Sequence, residues 1–106
     1  MSRRDELRLS DIAAALSAIT AYTDGVELQG VVYDAVRMRL IEIGEAVKDL
    51  APELRELEPE IPWSSIAQMR DRLTHRYFDT DHAIVADVVD NELGALGEAV
   101  DRLRAR

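Results

Sequence analysis

Apolar residues recur every three or four positions along most of this chain, and that spacing predicts amphipathic α-helices. In the first such segment the pattern is carried by Leu9, Ile12, Ala13, Leu16 and Ile19. Glycine and proline, which interrupt helices, occur only five and three times, whereas Ala, Leu, Glu and Arg dominate, as helices favour. The pattern therefore predicts an all-α protein.

Four long helical segments follow from the apolar spacing. They are expected at about 4–22, 28–50, 62–77 and 81–103, and the connector 51–61 has room for one short acidic turn. Short links between four or five helices predict a compact up-and-down bundle. Residues 1–106 are expected to form a single domain.

Several residues have the types that begin or end helices. Ser2 is a candidate N-cap with Asp5 three positions on, and the turn Thr23-Asp24-Gly25 ends the first segment. Pro62 fits the first turn of the third segment. Asp79 or Thr80 can cap the last one.

The second segment is apolar over a wide arc. One stripe consists of Val32, Val36, Leu40, Ile43, Val47 and Leu50, and another of Val31, Ala35, Met38 and Ala46. A helix apolar over such an arc is expected to be buried on more than one side. A two-fold homodimer would supply the second partner.

Composition excludes several kinds of site. The absence of cysteine rules out disulfides, thiolate nucleophiles and cysteine-ligated zinc, and the two histidines, His75 and His82, are poorly spaced for a metal. We therefore expect no metal and no cofactor. No apolar run approaches the roughly 20 residues of a membrane span, and the N-terminus lacks the apolar stretch of a secretory signal. A cytoplasmic location without membrane association is expected.

The net charge of −8 argues against broad nucleic-acid binding. Basic residues nevertheless cluster at Arg70, Arg72 and Arg76 around His75, and Lys48 is the only lysine. Arginine suits phosphate because its planar fork offers several N–H donors. The composition thus permits one local phosphate site on an otherwise acidic surface.

The segment 70–79 carries groups that phosphoryl transfer uses. His75 titrates near neutral pH and can move a proton, and Arg70 can bind a phosphate and offset charge on a five-coordinate phosphorus. RNA supplies its own nucleophile, the 2′-hydroxyl, so no metal is required. On a straight helix the two residues would lie about 140° apart. A bend near the helix end, or a second copy in a two-fold dimer, would bring both kinds of group to one phosphate.

Simpler interpretations compete with this one. The segment around Arg70 can be a solvated helix face, and Asp71 with His75 can be an ordinary intrahelical pair. Tyr77 can lie at the edge of the core with its hydroxyl in water.

Four residues outside this segment are of types found in functional sites, but each has a simple structural explanation. Glu42 and Glu45 resemble a catalytic acid pair, although surface glutamates are common on helices. Trp63 is expected to anchor the core at a helix start, and His82 to be a first-turn surface residue.

A set of short motifs stands in order along the chain. These are Arg39-Leu-Ile-Glu-Ile-Gly-Glu-Ala46, Pro52-Glu-Leu-Arg55, Ile61-Pro62-Trp63, Met69-Arg70, Leu73-Thr74-His75-Arg76-Tyr77-Phe78 and Asp81. In this order they resemble the HepT-like branch of the HEPN proteins, and the resemblance covers nearly the whole chain.

The resemblance implies a HEPN-type helical bundle that dimerises with two Arg-x4-His segments lining a shared cleft. It also implies a metal-independent RNA endonuclease, the toxin of a type VII-like toxin–antitoxin system. By matching position, Arg70 and His75 would be the catalytic pair. Tyr77 would be the residue to which a separately encoded minimal nucleotidyltransferase, the antitoxin, attaches AMP. An added nucleotide there would fill the cleft and bring phosphate against Arg70.

Asp71, Arg72 and Arg76 would support phosphate binding, but two of them depart from the family pattern. Asp71 stands where asparagine is usual, and Arg76 where a small or acidic residue is common. The carboxylate of Asp71 can repel RNA and engage Arg72 or His75, or it can orient the imidazole. An alternative function is therefore a non-catalytic helical binding or regulatory partner of a nucleotidyltransferase, recognised through its acidic surface.

Overall fold

The computed structural model describes the backbone of residues 1–74 and 78–106, and the side chains of 1–74 and 82–106. Six helices follow one another: α1 (Arg3–Thr23), α2 (Gly30–Asp49), α3 (Pro52–Arg55), α4 (Trp63–Thr74), α5 (Phe78–Asn91) and α6 (Leu93–Arg104). The described ranges contain no strand, so the all-α prediction is confirmed. None of the helices in these ranges is long and apolar enough to cross a bilayer.

The number of helices exceeds the predicted four or five for two reasons. The short turn expected in the connector is α3, and the predicted last helix is divided at Glu92, where φ is −118°. Hydrogen bonds of the helical type still reach Glu92 from both sides, from its N–H to the carbonyl of Val88 at 3.0 Å and from the N–H of Leu96 to its carbonyl at 3.2 Å. The weak helix formers Asn91 and Gly94 flank this residue. The division is therefore a kink rather than a loop.

The ends of α1 match the predicted signals. The side-chain oxygen of Ser2 accepts the N–H of Asp5 at 3.0 Å, which confirms the N-cap. The predicted break follows Thr23, and Gly25 in this turn has φ +67°, a conformation that glycine adopts without a steric penalty.

Two other predicted helix starts are wrong. The last predicted segment begins at Phe78, so Asp79 and Thr80 lie inside α5 rather than ahead of it. Aspartate is favoured both at an N-cap and in a first turn, so residue type alone does not separate the two. Pro62 precedes α4 instead of lying in its first turn, and its carbonyl accepts the N–H of Ile66 at 3.0 Å.

Helices α1 and α2 pack against each other in opposite directions, and polar contacts join the start of one to the end of the other. Asp49 accepts from Nε of Arg4 at 2.8 Å and lies 3.8 Å from Nη1 of Arg8. Asp5 is buried, and its carboxylate accepts the N–H of Ala51 at 3.0 Å. These contacts fix the beginning of α1 to the junction of α2 and α3.

The core is formed where α2 meets α1, α4 and α5, and where α6 covers α1. Its fully buried members include Leu9, Ile12, Val36, Leu40, Ile43, Val47, Leu73, Val85, Leu96, Val100 and Leu103. Most of these lie on the predicted apolar stripes. The second stripe of α2 is not covered along its whole length, because Val31 is 83% exposed and Met38 is 51% exposed.

Trp63 anchors the connector to the core, as predicted. Its ring is buried, and its indole N–H lies 3.0 Å from the carbonyl oxygens of both Arg55 and Glu58. A buried indole needs such a partner for its single polar atom. The first residue of α4 therefore holds the end of α3 in place.

A second contact holds the same connector to α6. Nη2 of Arg102 lies 2.6 Å from a carboxylate oxygen of Glu58, whose side chain is only 12% exposed. The hydrogen bond from Arg102 lowers the pKa of Glu58 below its ordinary value.

This shift predicts how stability depends on pH. Because the pKa of Glu58 is lower in the folded state, its contribution is present above the ordinary glutamate value of about 4.3 and is lost as the pH falls through the folded-state pKa. The substitution Arg102→Ala is expected to lower Tm at neutral pH, and the difference from the wild type should shrink in acid. Thermal unfolding followed by circular dichroism across this range measures both curves.

Arg104 supplies the control, since it lies in the same last turn and forms no ion pair among the described residues. Arg104→Ala should leave the pH profile of Tm unchanged. A difference between Arg102→Ala and the wild type that is equally large in acid would contradict the assignment.

Candidate functional site

Arg70 lies on α4 at the point where α4 approaches α2 most tightly. Gly44 of α2 faces it, and a Cβ added at Gly44 would lie 2.7 Å from Cβ of Arg70 and 3.2 Å from the carbonyl oxygen of Ile66. The first distance is shorter than real Cβ atoms tolerate. The missing side chain at Gly44 therefore allows α4 to bring the stem of Arg70 against α2.

Three charged side chains surround the guanidinium of Arg70. Its Nε forms an ion pair with Glu45 of α2, and its Nη1 donates to the carboxylate of Asp71 at 3.1 Å. The ammonium of Lys48 lies 4.0 Å from the same oxygen of Asp71. We call Arg70, Glu45, Asp71 and Lys48 the Arg70 cluster; it contains two cations and two carboxylates.

The electrostatics of this cluster keep Arg70 charged. The hydrogen bond that Arg70 donates to Asp71 and the negative charge of Glu45 raise the pKa of Arg70 above its ordinary value. A guanidinium carries five N–H donors, so contacts at Nε and at one Nη1 hydrogen leave donors for a phosphate. The side chain of Arg70 is 35% exposed, which makes it accessible from solvent.

The cluster lies at the edge of an open groove between α1 and α2. Glu45 and Lys48 line this groove, as do Arg39 and Glu42. Arg39 binds Glu42 through Nη1 at 2.8 Å. Each of the two glutamates thus pairs with a different arginine, and the pattern that resembled a catalytic acid pair consists of two ion pairs.

The described part of the predicted site brings Arg70 and Asp71 together. Of the alternatives left open for Asp71, a contact with Arg72 is not seen among the described residues, where Asp71 engages Arg70 and Lys48 and Arg72 is exposed on α4. His75, Arg76 and Tyr77 lie outside the described residues. The prediction that helix α4 reaches Tyr77, and any contact of Asp71 with His75, likewise falls on these residues.

Sequence reasoning did not identify Gly44, Glu45 or Lys48 as neighbours of Arg70. One feature of the sequence does point to a close contact at this place: Gly44 interrupts an otherwise strongly apolar helix. A mid-helix glycine costs about 1 kcal/mol relative to alanine, and such a residue often marks a close approach of another element. The identity of the approaching element is not contained in that signal.

A further contact lies where α5 meets the start of α2. His82 is exposed, as predicted, but its Nε2 lies 3.0 Å from the carbonyl of Leu28, and its ring stacks on Tyr33 with centroids 5.1 Å apart. These contacts hold α5 against the loop that precedes α2.

Comparison with known proteins assigns the chain to a family. The family described as Ribonuclease HepT-like matches residues 9–103. The chain belongs to the HepT-like ribonuclease family. A protein described as "Probable ribonuclease HepT" from Thermococcus cleftensis is 34% identical over 109 residues, which is 98% of this chain and 99% of that protein.

Two further relatives match most of this chain. A protein named "Putative RNase TTE0752", from Caldanaerobacter subterraneus subsp. tengcongensis, is 37% identical over 84 residues, 74% of this chain and 75% of that protein. Another, named "Putative RNase MJ1216", from Methanocaldococcus jannaschii, is 32% identical and covers 97% of this chain and 90% of that protein. No solved structure gives a significant match.

Proposed function

We propose that this chain is a metal-independent RNA endonuclease that acts as the toxin of a toxin–antitoxin pair in the cytoplasm. The observation that carries the proposal is the placement of Arg70. It is a charged, accessible arginine held against α2 beside Glu45, which lines the groove, and it stands five positions before His75 in a chain of a ribonuclease family. A guanidinium and an imidazole suffice for RNA cleavage, because the nucleophile belongs to the substrate.

The proposed reaction is an internal transesterification. His75 takes the proton of the 2′-hydroxyl, the 2′-oxygen attacks the adjacent phosphorus, and the bond to the 5′-oxygen breaks. The leaving 5′-oxygen receives a proton from a second imidazole, the partner subunit's His75. Arg70 offsets the negative charge that builds up on the phosphoryl oxygens. The products are a 2′,3′-cyclic phosphate and a free 5′-hydroxyl.

The exposed apolar residues of α2 support a homodimer. Val31, Met38 and Glu45 are separated by seven positions each, so they lie within about 40° of one another on the helix. A second copy that covers Val31 and Met38 would therefore extend along α2 toward the Arg70 cluster. Such an arrangement would bring two copies of the Arg-x4-His segment to one cleft.

The proposed partner is a minimal nucleotidyltransferase that attaches AMP to Tyr77. Tyr77 follows His75 by two positions, so the modification would place a phosphate and a nucleoside near the catalytic imidazole. A phosphate near Arg70 would compete with the RNA backbone for the same donors. The modified toxin is then inactive.

Cleavage of RNA by the purified chain tests the proposal. The wild type is expected to produce fragments with cyclic phosphate ends at the same rate with and without excess EDTA, and His75→Ala is expected to produce none. Loss of wild-type cleavage in EDTA would reject the metal-independent mechanism. Equal cleavage by His75→Ala would reject the role of the imidazole.

One observation favours a second function, that of a non-catalytic partner of a nucleotidyltransferase. Arg70 is already engaged by two carboxylates, Glu45 and Asp71, on a chain whose net charge is −8. This arrangement weakens the local attraction for RNA. Induction of the wild type and of His75→Ala in growing cells separates the two functions, because a binding partner would leave growth undisturbed in both cases.

A further inference from the structure

We propose that Glu45 is the positioning residue that fixes the guanidinium of Arg70 for the nuclease reaction. The inference rests on the proposed function, because the reaction is the one proposed above. It concerns how the fold orients Arg70 rather than which groups carry out the chemistry.

Of the two carboxylates that contact Arg70 among the described side chains, only Glu45 belongs to another helix. Asp71 is the next residue of α4, so it moves together with Arg70, and its own link to α2 is the longer 4.0 Å contact with Lys48. Glu45 contacts Nε from α2. It is therefore Glu45 that ties the guanidinium to the body of the protein.

The contact at Nε also determines which N–H donors of Arg70 remain available to a phosphate. Nε is the guanidinium nitrogen nearest the backbone; it is buried, and it meets Glu45 as an ion pair without the geometry of a hydrogen bond. A carboxylate there sets the orientation of the planar group, whereas the outer Nη1 and Nη2 edge is the one that can grip two phosphate oxygens at once. The Glu45 contact thus orients Arg70 without occupying that edge.

The backbone that carries Glu45 is rigidly placed. Ile43 and Val47, on either side of it, are fully buried, and Gly44 next to it forms the tight contact with α4. The backbone of Glu45 is therefore fixed relative to α4. Displacement of a catalytic group by about 1 Å can cost about 10²-fold in rate.

The negative charge of Glu45 gives the proposal a distinct kinetic signature. Removal of the carboxylate releases the guanidinium, which lowers kcat, but it also removes a charge that repels RNA, so KM stays the same or falls. For Glu45→Ala we expect kcat to drop by about 10- to 100-fold. A mutation that only damaged the fold would not produce this split.

The experiment compares Glu45→Ala and Glu45→Gln with the matched control Glu42→Ala. Glu42 is exposed on the same helix, three positions earlier, and pairs with Arg39 instead of Arg70. We expect Glu45→Gln to retain more of kcat than Glu45→Ala, since its amide oxygen still faces Nε, and Glu42→Ala to match the wild type. A wild-type kcat in Glu45→Ala, or an equal loss in Glu42→Ala, would overturn the proposal.

A second measurement keeps the proposal independent of the nuclease activity. The Nε–H signal of Arg70 in a nitrogen-15 NMR spectrum, assigned by its absence in Arg70→Lys, should exchange slowly in the wild type and in Glu42→Ala. It should be lost in Glu45→Ala. If the wild type cleaves no RNA, the proposed function fails, but this signal still decides whether Glu45 fixes Arg70. Rapid exchange of the Nε–H in the wild type would overturn the proposal that Glu45 positions Arg70.

Discussion

Replacement of Arg70 by alanine is expected to lower kcat for RNA cleavage by about 10²- to 10³-fold, the usual cost of removing one group that stabilises charge in the transition state. Stability should change little, because Arg70 and its partners Glu45 and Asp71 are all more than a third exposed and such ion pairs are screened by solvent. Arg70→Lys should be intermediate, since lysine keeps the charge but loses the planar fork. Single-turnover cleavage of a labelled RNA measures the rates.

The control for this substitution is Gln68→Ala, an exposed position on the same helix two residues earlier. It should cleave RNA at the wild-type rate. If Arg70→Ala cleaved RNA as fast as Gln68→Ala, Arg70 would have no part in the chemistry and the non-catalytic function would gain support.

The second large effect is expected from Gly44→Ala. The added Cβ would lie 2.7 Å from Cβ of Arg70, so α2 and α4 must separate to admit it. Forcing one methyl group into such a contact costs typically about 1–3 kcal/mol of the free energy of unfolding. The shift also moves Arg70 away from Glu45, so cleavage should fall together with stability. Urea denaturation and the cleavage assay measure the two effects.

Gly97→Ala in α6 is the matched substitution. A Cβ at Gly97 would lie 3.7 Å from Cδ1 of Leu16, an ordinary contact, so the higher helix propensity of alanine should raise the free energy of unfolding by roughly 0.5–1 kcal/mol. Gly44→Ala is thus expected to lower the free energy of unfolding, and Gly97→Ala to raise it. A Gly44→Ala protein as stable as the wild type would show that α2 and α4 are not in such close contact.

Much of the fold could be predicted because helices are local structures. The spacing of Leu9 and Ile12, or of Leu40 and Ile43, reports directly on which face of a helix is buried, and the cap at Ser2 needs only the residues that follow it. The kink at Glu92 was missed because the apolar spacing continues across it. Val31 and Met38 belong to the stripe assigned to a second copy, and they are exposed in the single chain; periodicity identifies such a face but not the neighbour that covers it.

From the sequence, the reactive groups of the site could be predicted, but their neighbours in the fold could not. Arg70 could be identified from its chemistry and its spacing from His75, but its partner on α2, Glu45, is 25 positions earlier in the chain. Their contact depends on how α2 and α4 cross, and that crossing depends on a single absent side chain at Gly44. The convergence of Arg70, His75 and Tyr77 stays a prediction.

The attachment of Trp63 to the connector has a practical consequence. Trp63 is the only tryptophan of the chain, and it is the first residue of the helix that carries Arg70. Ultraviolet emission from the unlabelled protein therefore comes mainly from one ring whose N–H is bound to the backbone of residues 55 and 58. A change in its emission wavelength on addition of RNA or of the antitoxin would report that this end of α4 has loosened, without any dye attached.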